Sequence, residues 1–506
     1  MNNGITNTID TINAGNTNNA FYTKKDIVFA LAMLGCGFLY WNLIRLPGLG
    51  AGVTLFAAIF CLCTVVYLKS GEVRPKRTSL LCFTVIVLSA LVFLLYDNIL
   101  IKGLNFLFLT AAVIYWISLL TGRTLEKRIS AYILGDFYHQ VLVVPFSNFA
   151  CCFGAIRKLI NGNKKGKSLL AGAIGILVIF PVLAVVINLL IKADAAFAGV
   201  IANLHFPVSM DILIQIILGI PVACYLYGLI YGDRYGRNTG RVTIESVDKM
   251  AAACRFAPAV TVYSALTALN LVFIVYFLSQ LTYLFSAFNN RLPELMTYAE
   301  YARRGFFELC TVAGINLAVM TAANLIVKRE KVKILRVETA ALCLFTLMLI
   351  ITAVSKMVMY INTYGLTQLR VYTSWFMVVL FFIFAVTAVQ QFKKFNAARV
   401  MLIGFMILFM ILSYGNIDGR IAAYNTDRYK NGTLERLDVQ ALSSLSDAAV
   451  PYMYNLYQET TDPILKEQLK AAIKKTPEYK AGGPHGETFR DFNFQSHTTQ
   501  NIRNML

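Results

Sequence analysis

The chain has 506 residues, 57% of them hydrophobic and 14% charged, with a formal net charge of +19. A water-soluble protein carries about a quarter charged residues, so this composition excludes an ordinary soluble core and points to a lipid bilayer as the solvent. In that setting the positive charge is an orientation signal, and nucleic acid is set aside as a partner.

The first 23 residues are polar and rich in Asn and Thr. Residues 1–26 read as a disordered tail with no cationic stretch leading into a short apolar one, so no cleavable signal peptide is expected, and the first span serves as the insertion signal. A helix needs about 20 mostly apolar residues to cross the hydrocarbon. Eleven segments qualify: roughly 27–44, 50–68, 79–96, 101–120, 169–191, 212–231, 257–281, 306–327, 338–361, 371–390 and 398–415. Asp26, Ser79 and Asp211 are placed as helix caps ahead of the first, third and sixth. The runs are continuous rather than alternating, which predicts helices and not barrel strands.

Residues 131–160 are apolar but interrupted by Asp136, His139 and Pro145 and flanked by basic residues. They read as an interfacial or re-entrant helix, with a pair of short spans as the alternative. Residues 416–506 hold 11 basic and 11 acidic residues, so this C-terminal extramembrane region is neutral. Ser446-Asp447 and Thr461-Asp462-Pro463 mark helix starts, and Leu465, Leu469, Ala472 and Ile473 recur at helical spacing. Two or three short amphipathic helices are expected there. The predicted architecture is all-α: a polytopic membrane domain over 27–415 with a small helical extramembrane region.

Charge tests the span count. The N-terminal segment and the even-numbered loops hold 27 lysines and arginines, against seven on the odd-numbered loops. Basic residues favour the cytoplasmic side, so the expectation is a multi-pass protein of the cell membrane, N-terminus inside and C-terminal region outside.

Gly48-Leu49-Gly50-Ala51-Gly52 lies between two spans, with no strand before it and no Lys-Ser/Thr after it, so it reads as a tight hairpin rather than a phosphate cradle. The ten cysteines lie in or beside apolar segments without metal-ligand spacing and read as small hydrophobes. No metal and no cofactor is expected, and no catalytic residue is assigned. The basic cluster Lys164-Lys165-Gly166-Lys167 reads as a topology signal.

Ionisable groups at membrane depth carry the functional reading, because charge there is costly and usually has a reason. Glu300, Arg304 and Glu308 share one helical face at the start of the eighth span, with Arg303 beside them. Lys356, Tyr360 and Tyr364 have the same spacing at the end of the ninth. Eight residues of helix cover about 12 Å, which places Glu308 and Lys356 at one depth on antiparallel neighbours. They are expected to pair, with Arg370 and Tyr372 at the mouth of the tenth span. A fixed bridge orienting the helices, or snorkelling of Lys356, is the competing explanation.

At these residues the chain resembles a known family. Thr297-Tyr-Ala-Glu-Tyr-Ala-Arg-Arg-Gly-Phe-Phe-Glu-Leu309 and Tyr364-Gly-Leu-Thr-Gln-Leu-Arg-Val-Tyr372 are similar to signatures of a bacterial multi-pass membrane-protein family known only as a domain of unknown function. Lys192–Phe197, Ile421–Tyr429 and Leu442–Pro451 are similar to it as well. The resemblance covers roughly residues 90–506 and implies a bacterial origin, a cytoplasmic-membrane location and a single architecture, but no activity.

Three function classes follow. A transport-related protein would use the polar pocket among spans eight to ten. A signalling or envelope-associated anchor would present the exterior tail to a partner. A membrane-embedded enzyme would act on a lipid carrier; no nucleophile or metal ligand accompanies the carboxylates, which weighs against it. Beyond the bilayer itself, the partner is an unidentified small molecule or protein.

Overall fold

The computed structural model describes residues 22–46, 48–70, 77–126, 129–161, 186, 189–190, 192–194, 210–240, 242–288, 298–328, 332–475 and 488–506. Among them the chain is helical apart from turns and one isolated bridge between Ala257 and Val327. Eleven helices among the described residues are long and apolar enough to cross a membrane, which fits a polytopic helical membrane protein.

Four long helices come first: α1 (Lys24–Leu43), α2 (Ala51–Lys69), α3 (Arg77–Leu95) and α4 (Ile99–Thr121). A broken segment follows: α5 (Ile133–Tyr138), a π-helical turn (His139–Val143), α6 (Val144–Ser147) and α7 (Cys151–Asn161). Then come α8 (Met210–Tyr235), the short α9 (Ile244–Ala253), α10 (Ala259–Phe288), α11 (Tyr298–Ile326), α12 (Val332–Tyr364), α13 (Gln368–Phe392) and α14 (Ala397–Tyr414). The tail contains α15 (Ile417–Lys430), α16 (Val439–Ser443), a 3-10 turn (Asp447–Ala449), α17 (Val450–Glu459), α18 (Pro463–Lys474) and α19 (Phe494–Asn504). That is more than the two or three helices expected. Asp462 caps α18 ahead of Pro463, and Leu465, Leu469, Ala472 and Ile473 are buried as their spacing predicts.

The caps differ from the sequence expectation. Thr23 is the N-cap of α1, and Asp26 sits three residues inside as its reciprocal partner. This capping box starts α1 at Lys24, so the helix takes in the last three residues assigned to the polar tail. Ser79 lies within α3, and Asp211 lies within α8.

The membrane helices form two packed groups. One core joins α1–α4, the broken segment and α8, with Phe29, Met33, Phe60, Trp116 and Tyr227 buried. The other joins α10–α13 around Phe306, Leu342, Ala353 and Phe384. Helix α14 links them: its Phe409 ring lies 4.8 Å from Phe108 on α4, and its Leu408 carbonyl accepts from the Trp375 indole at 3.0 Å.

The described loops sort into two ends. At one, the Lys25 ammonium donates to the Ser70 carbonyl at 3.0 Å, the Arg123 Nε to the Asp233 carbonyl at 3.0 Å, and the Asn396 amide to the Ile129 carbonyl at 3.0 Å. These loops belong to the lysine- and arginine-rich set, and we call this the basic end. At the other end, the loops before α2, before α4 and before α13 all contact the tail.

The broken segment stays near the basic end. The Leu125 N–H donates to Asp136 Oδ1 at 2.7 Å, Tyr225 donates to the Val141 carbonyl at 3.0 Å, and Asn148 donates to the Arg237 carbonyl at 3.1 Å. Its far end returns to Tyr22, whose carbonyl accepts from Lys158 at 2.8 Å. The segment enters and leaves at one end, although its length and hydropathy also suit a crossing. Helix α4 finishes at the basic end, and α8 runs toward it. The expected span 169–191 lies mostly outside the described residues.

Candidate functional site

A buried polar cluster joins the tail to the bundle. It is built on the short turn between α3 and α4. Asn98 caps α4 by accepting from the Ile101 N–H at 2.9 Å. Its amide nitrogen donates to the Tyr372 hydroxyl and to Asp418 Oδ2, both at 2.8 Å. Asp418, in the first turn of α15 and 1% exposed, also accepts from Gln368 at 2.7 Å and from the Ser446 N–H at 3.0 Å. Beside it, Asp97 and Lys102 form an ion pair at 3.5 Å, their side chains 1% and 2% exposed. Asp97 accepts from the Asn493 amide at 3.0 Å, and its own N–H donates to Gln495 at 2.9 Å. Lys102 reaches the Gly48 carbonyl at 3.4 Å. A buried charge is tolerated when paired and hydrogen-bonded; Asp97 meets that condition through Lys102 and Asn493, and Asp418 is held by hydrogen bonds from Asn98, Gln368 and the Ser446 N–H.

The tail is thus a clasp across the two helix groups. It binds the first group through Asp97 and Asn98, and through Ala51 and Gly52, whose N–H groups donate to Phe492 and Arg490 carbonyls at 2.9 and 3.0 Å. It binds the second through Asn425, whose side chain both accepts from the Leu366 N–H and donates to its carbonyl, at 2.7 and 2.8 Å. Gly365 makes room for that contact: its φ is +77°, and a Cβ there would meet Asn425 Oδ1 at 2.5 Å.

The residues expected to form the outer pocket divide. Glu300, Arg303 and Arg304 lie in α11, but their side chains fall outside the described residues. Glu308 lies within electrostatic reach of Lys356. Lys356 is half-buried and Glu308 exposed on the helix surface. Tyr360 and Tyr364 have ring centroids 5.3 Å apart, and the Arg370 guanidinium stacks 4.0 Å from the Tyr360 centroid. Arg370 also donates to the carbonyls of Tyr364 and Gly365, neutralising the C-terminus of α12. Tyr372 is elsewhere. Two residues along a helix turn through about 200°, so Tyr372 faces Asn98 and the clasp while Arg370 faces Tyr360.

The structure adds polar groups to this region that sequence reasoning missed. Glu338, at the opposite end of α12, accepts from Thr267 at 2.9 Å and from Asn270 at 2.7 Å. Midway, buried Asn316 on α11 donates to buried Thr346 on α12 at 2.9 Å. Glu338 and Lys356 are separated by about 27 Å of helix, nearly the hydrocarbon thickness. At about 100° per residue, Glu338, Thr346, Lys356 and Tyr360 lie within one third of the circumference of α12. The sequence places Glu338 at the boundary of the span 338–361, and its position on that arc follows from helical spacing.

A third cluster closes the basic end. Asp26 accepts from the hydroxyls of Tyr67 and Tyr235 at 2.7 and 2.9 Å, and the Arg234 guanidinium lies 4.1 Å from the Tyr67 centroid. Nearby, buried Asp233 accepts from Gln140 at 3.1 Å and Thr121 at 3.2 Å. Among the described residues no group of His, Cys, Asp and Glu could hold a metal ion.

A family model described as a domain of unknown function (DUF4153) matches residues 83–456. No curated protein and no solved structure matches the chain. The matched region holds Asp97, Lys102, the polar side chains of α11 and α12, and Asp418. It leaves out Asp26 at the basic end and Asn493 in the tail.

Proposed function

The chain belongs to the DUF4153 family, and from that premise we propose that this integral membrane protein is transport-related and relays protons along the seam between α11 and α12. One observation carries the reading: α12 bears ionisable and hydroxylic side chains along one arc, Glu338 bonded to Asn270 of α10, then Thr346 bonded to Asn316 of α11, then Lys356 within electrostatic reach of Glu308 on α11. Carboxylates and amines inside a membrane are rare and characteristically mark proton or ion pathways. Arg370 and Tyr360 form the outer mouth beneath the tail.

The test is proton flux in liposomes carrying the full-length protein, read with an entrapped pH-sensitive dye after a pH jump. The protein should dissipate the gradient faster than empty liposomes, and Lys356→Met and Glu308→Gln should each slow it by about a hundredfold, the low end of the 10²–10⁴ typical of a general acid–base group. Wild-type flux equal to that of empty liposomes, or Lys356→Met at the wild-type rate, defeats the proposal.

The clasp supports a second reading, an envelope-associated anchor whose tail binds a partner. Its buried polar contacts couple any strain on the tail to both helix groups. In both readings we place the basic end in the cytoplasm and the tail outside the cell membrane. Reporters fused after residue 430 and within residues 236–240 should report opposite sides, the first one outside; a reporter after residue 430 that is active in the cytosol reverses this orientation.

A further inference from the structure

A cavity of about 1430 Å³ opens between α2 and α3, with Trp116 and Leu120 of α4 on its floor. Sites for drug-sized ligands are typically about 300–1,000 Å³, so this one suits something larger. Its walls are overwhelmingly apolar: Ala58, Leu62 and Val65 line it on α2, and Leu80, Phe83 and Val87 on α3. The lining runs from Thr54 to Lys69, about 22 Å of helix. At the Thr54 end the two helices meet, with the Thr54 hydroxyl donating to the Ala90 carbonyl at 2.7 Å. At the other end the lining includes Lys69 of α2 and Ser79 of α3. The cleft therefore runs from a helix–helix contact on the tail side to Lys69 on the basic side.

Charge complements that shape. Lys69 is exposed at the basic end of the lining, and the Lys25 ammonium is held next to it on the Ser70 carbonyl at 3.0 Å. An apolar trough at membrane depth with cations at its mouth matches one occupant from the surrounding solvent: a lipid whose chains fill the trough while its phosphate meets the ammonium groups. One leaflet of hydrocarbon is about 15 Å deep, so the trough takes the full length of an acyl chain. We infer that the α2–α3 cleft is a binding site for an anionic glycerophospholipid of the basic-end leaflet. This site is separate from the α11–α12 seam and does not depend on the transport reading.

The experiment is native mass spectrometry of the full-length protein, released from mixed micelles holding equal amounts of phosphatidylglycerol and phosphatidylcholine. Wild type should retain phosphatidylglycerol preferentially. Lys69→Gln should lower that preference about fivefold, the loss of one cationic contact to an anionic headgroup. Ala58→Trp, at an exposed position on the wall, should abolish retention while leaving the melting temperature in lipid-free micelles unchanged. If Ala58→Trp does not yield a monodisperse particle, Leu62→Trp on the same wall takes its place. Equal retention of the two lipids by wild type, or undiminished retention by the tryptophan variant, overturns the site. Displacement of phosphatidylglycerol by an equimolar polyisoprenyl phosphate overturns the choice of occupant.

Discussion

Lys102→Ala should destabilise the protein by about 3–5 kcal/mol, the range for breaking one side of a buried ion pair, and should release the tail from the bundle. Asp97 is 1% exposed, so it cannot regain water without movement of the chain around it. With the ammonium gone, the Asn493 amide at 3.0 Å still donates to the side chain, but a neutral donor does not offset a buried charge. The strain falls on the segment that brings Asn493 and Gln495 to the α3–α4 turn, that is, on the start of α19. The measurements are denaturant titration in detergent and limited trypsin digestion at Arg490 and Arg503. Digestion should speed up at least as much as global unfolding does. The apolar double variant Asp97→Leu with Lys102→Met should recover most of the loss, because removing both charges leaves no uncompensated one. Stability of Lys102→Ala within about 0.5 kcal/mol of wild type, the usual scatter of surface substitutions, would show that the pair does not hold the clasp.

Gly37→Val should cost about 3 kcal/mol, at the upper end of the range for overpacking, while Gly35→Val on the same helix should change stability little. A Cβ at Gly37 would lie 2.1 Å from the Gly219 carbonyl oxygen on α8, and one at Gly219 would lie 2.8 Å from Gly37 backbone atoms. Here two helices cross backbone to backbone, the close approach that small residues permit inside a membrane. A backbone atom cannot rotate away, so relief requires separating α1 from α8. That separation would also strain the Asp26–Tyr235 contact at the basic end, which joins the same two helices at 2.9 Å. At Gly35 a Cβ meets nothing within 4 Å. The two substitutions share a helix and a chemistry, so their difference isolates the crossing. Equal melting temperatures for the two variants would show that the helices do not meet as tightly as the geometry requires.

Much of this architecture was legible before any coordinate. Long apolar runs specify spans because a backbone in hydrocarbon has to satisfy its own hydrogen bonds. The described lysine- and arginine-rich loops do gather at one end, as a two-sided solvent demands. The broken segment 131–160 was readable from Asp136, His139 and Pro145, each unfavourable inside a continuous apolar helix. Counting residues back from two helix ends puts Glu308 and Lys356 at one depth, because helical rise is constant, and in the structure the two lie within electrostatic reach.

The clasp was not legible. Asp97 lies 396 residues from Asn493, and Asn98 lies 320 from Asp418; no local periodicity relates such positions. Tyr372 was assigned to the pocket by its nearness in sequence to Arg370, and the helical turn between them sends it to Asn98 instead. Asp26 reads in the sequence as a helix cap and is also a buried acceptor for Tyr67 and Tyr235, because burial depends on which neighbour covers a residue. Composition and spacing determined that the chain is a polytopic helical membrane protein and which described loops bear charge, both of which are properties of single segments in a solvent. Only the tertiary structure decided which polar groups meet. A buried charge persists only where a partner from a distant part of the chain is brought within hydrogen-bonding distance.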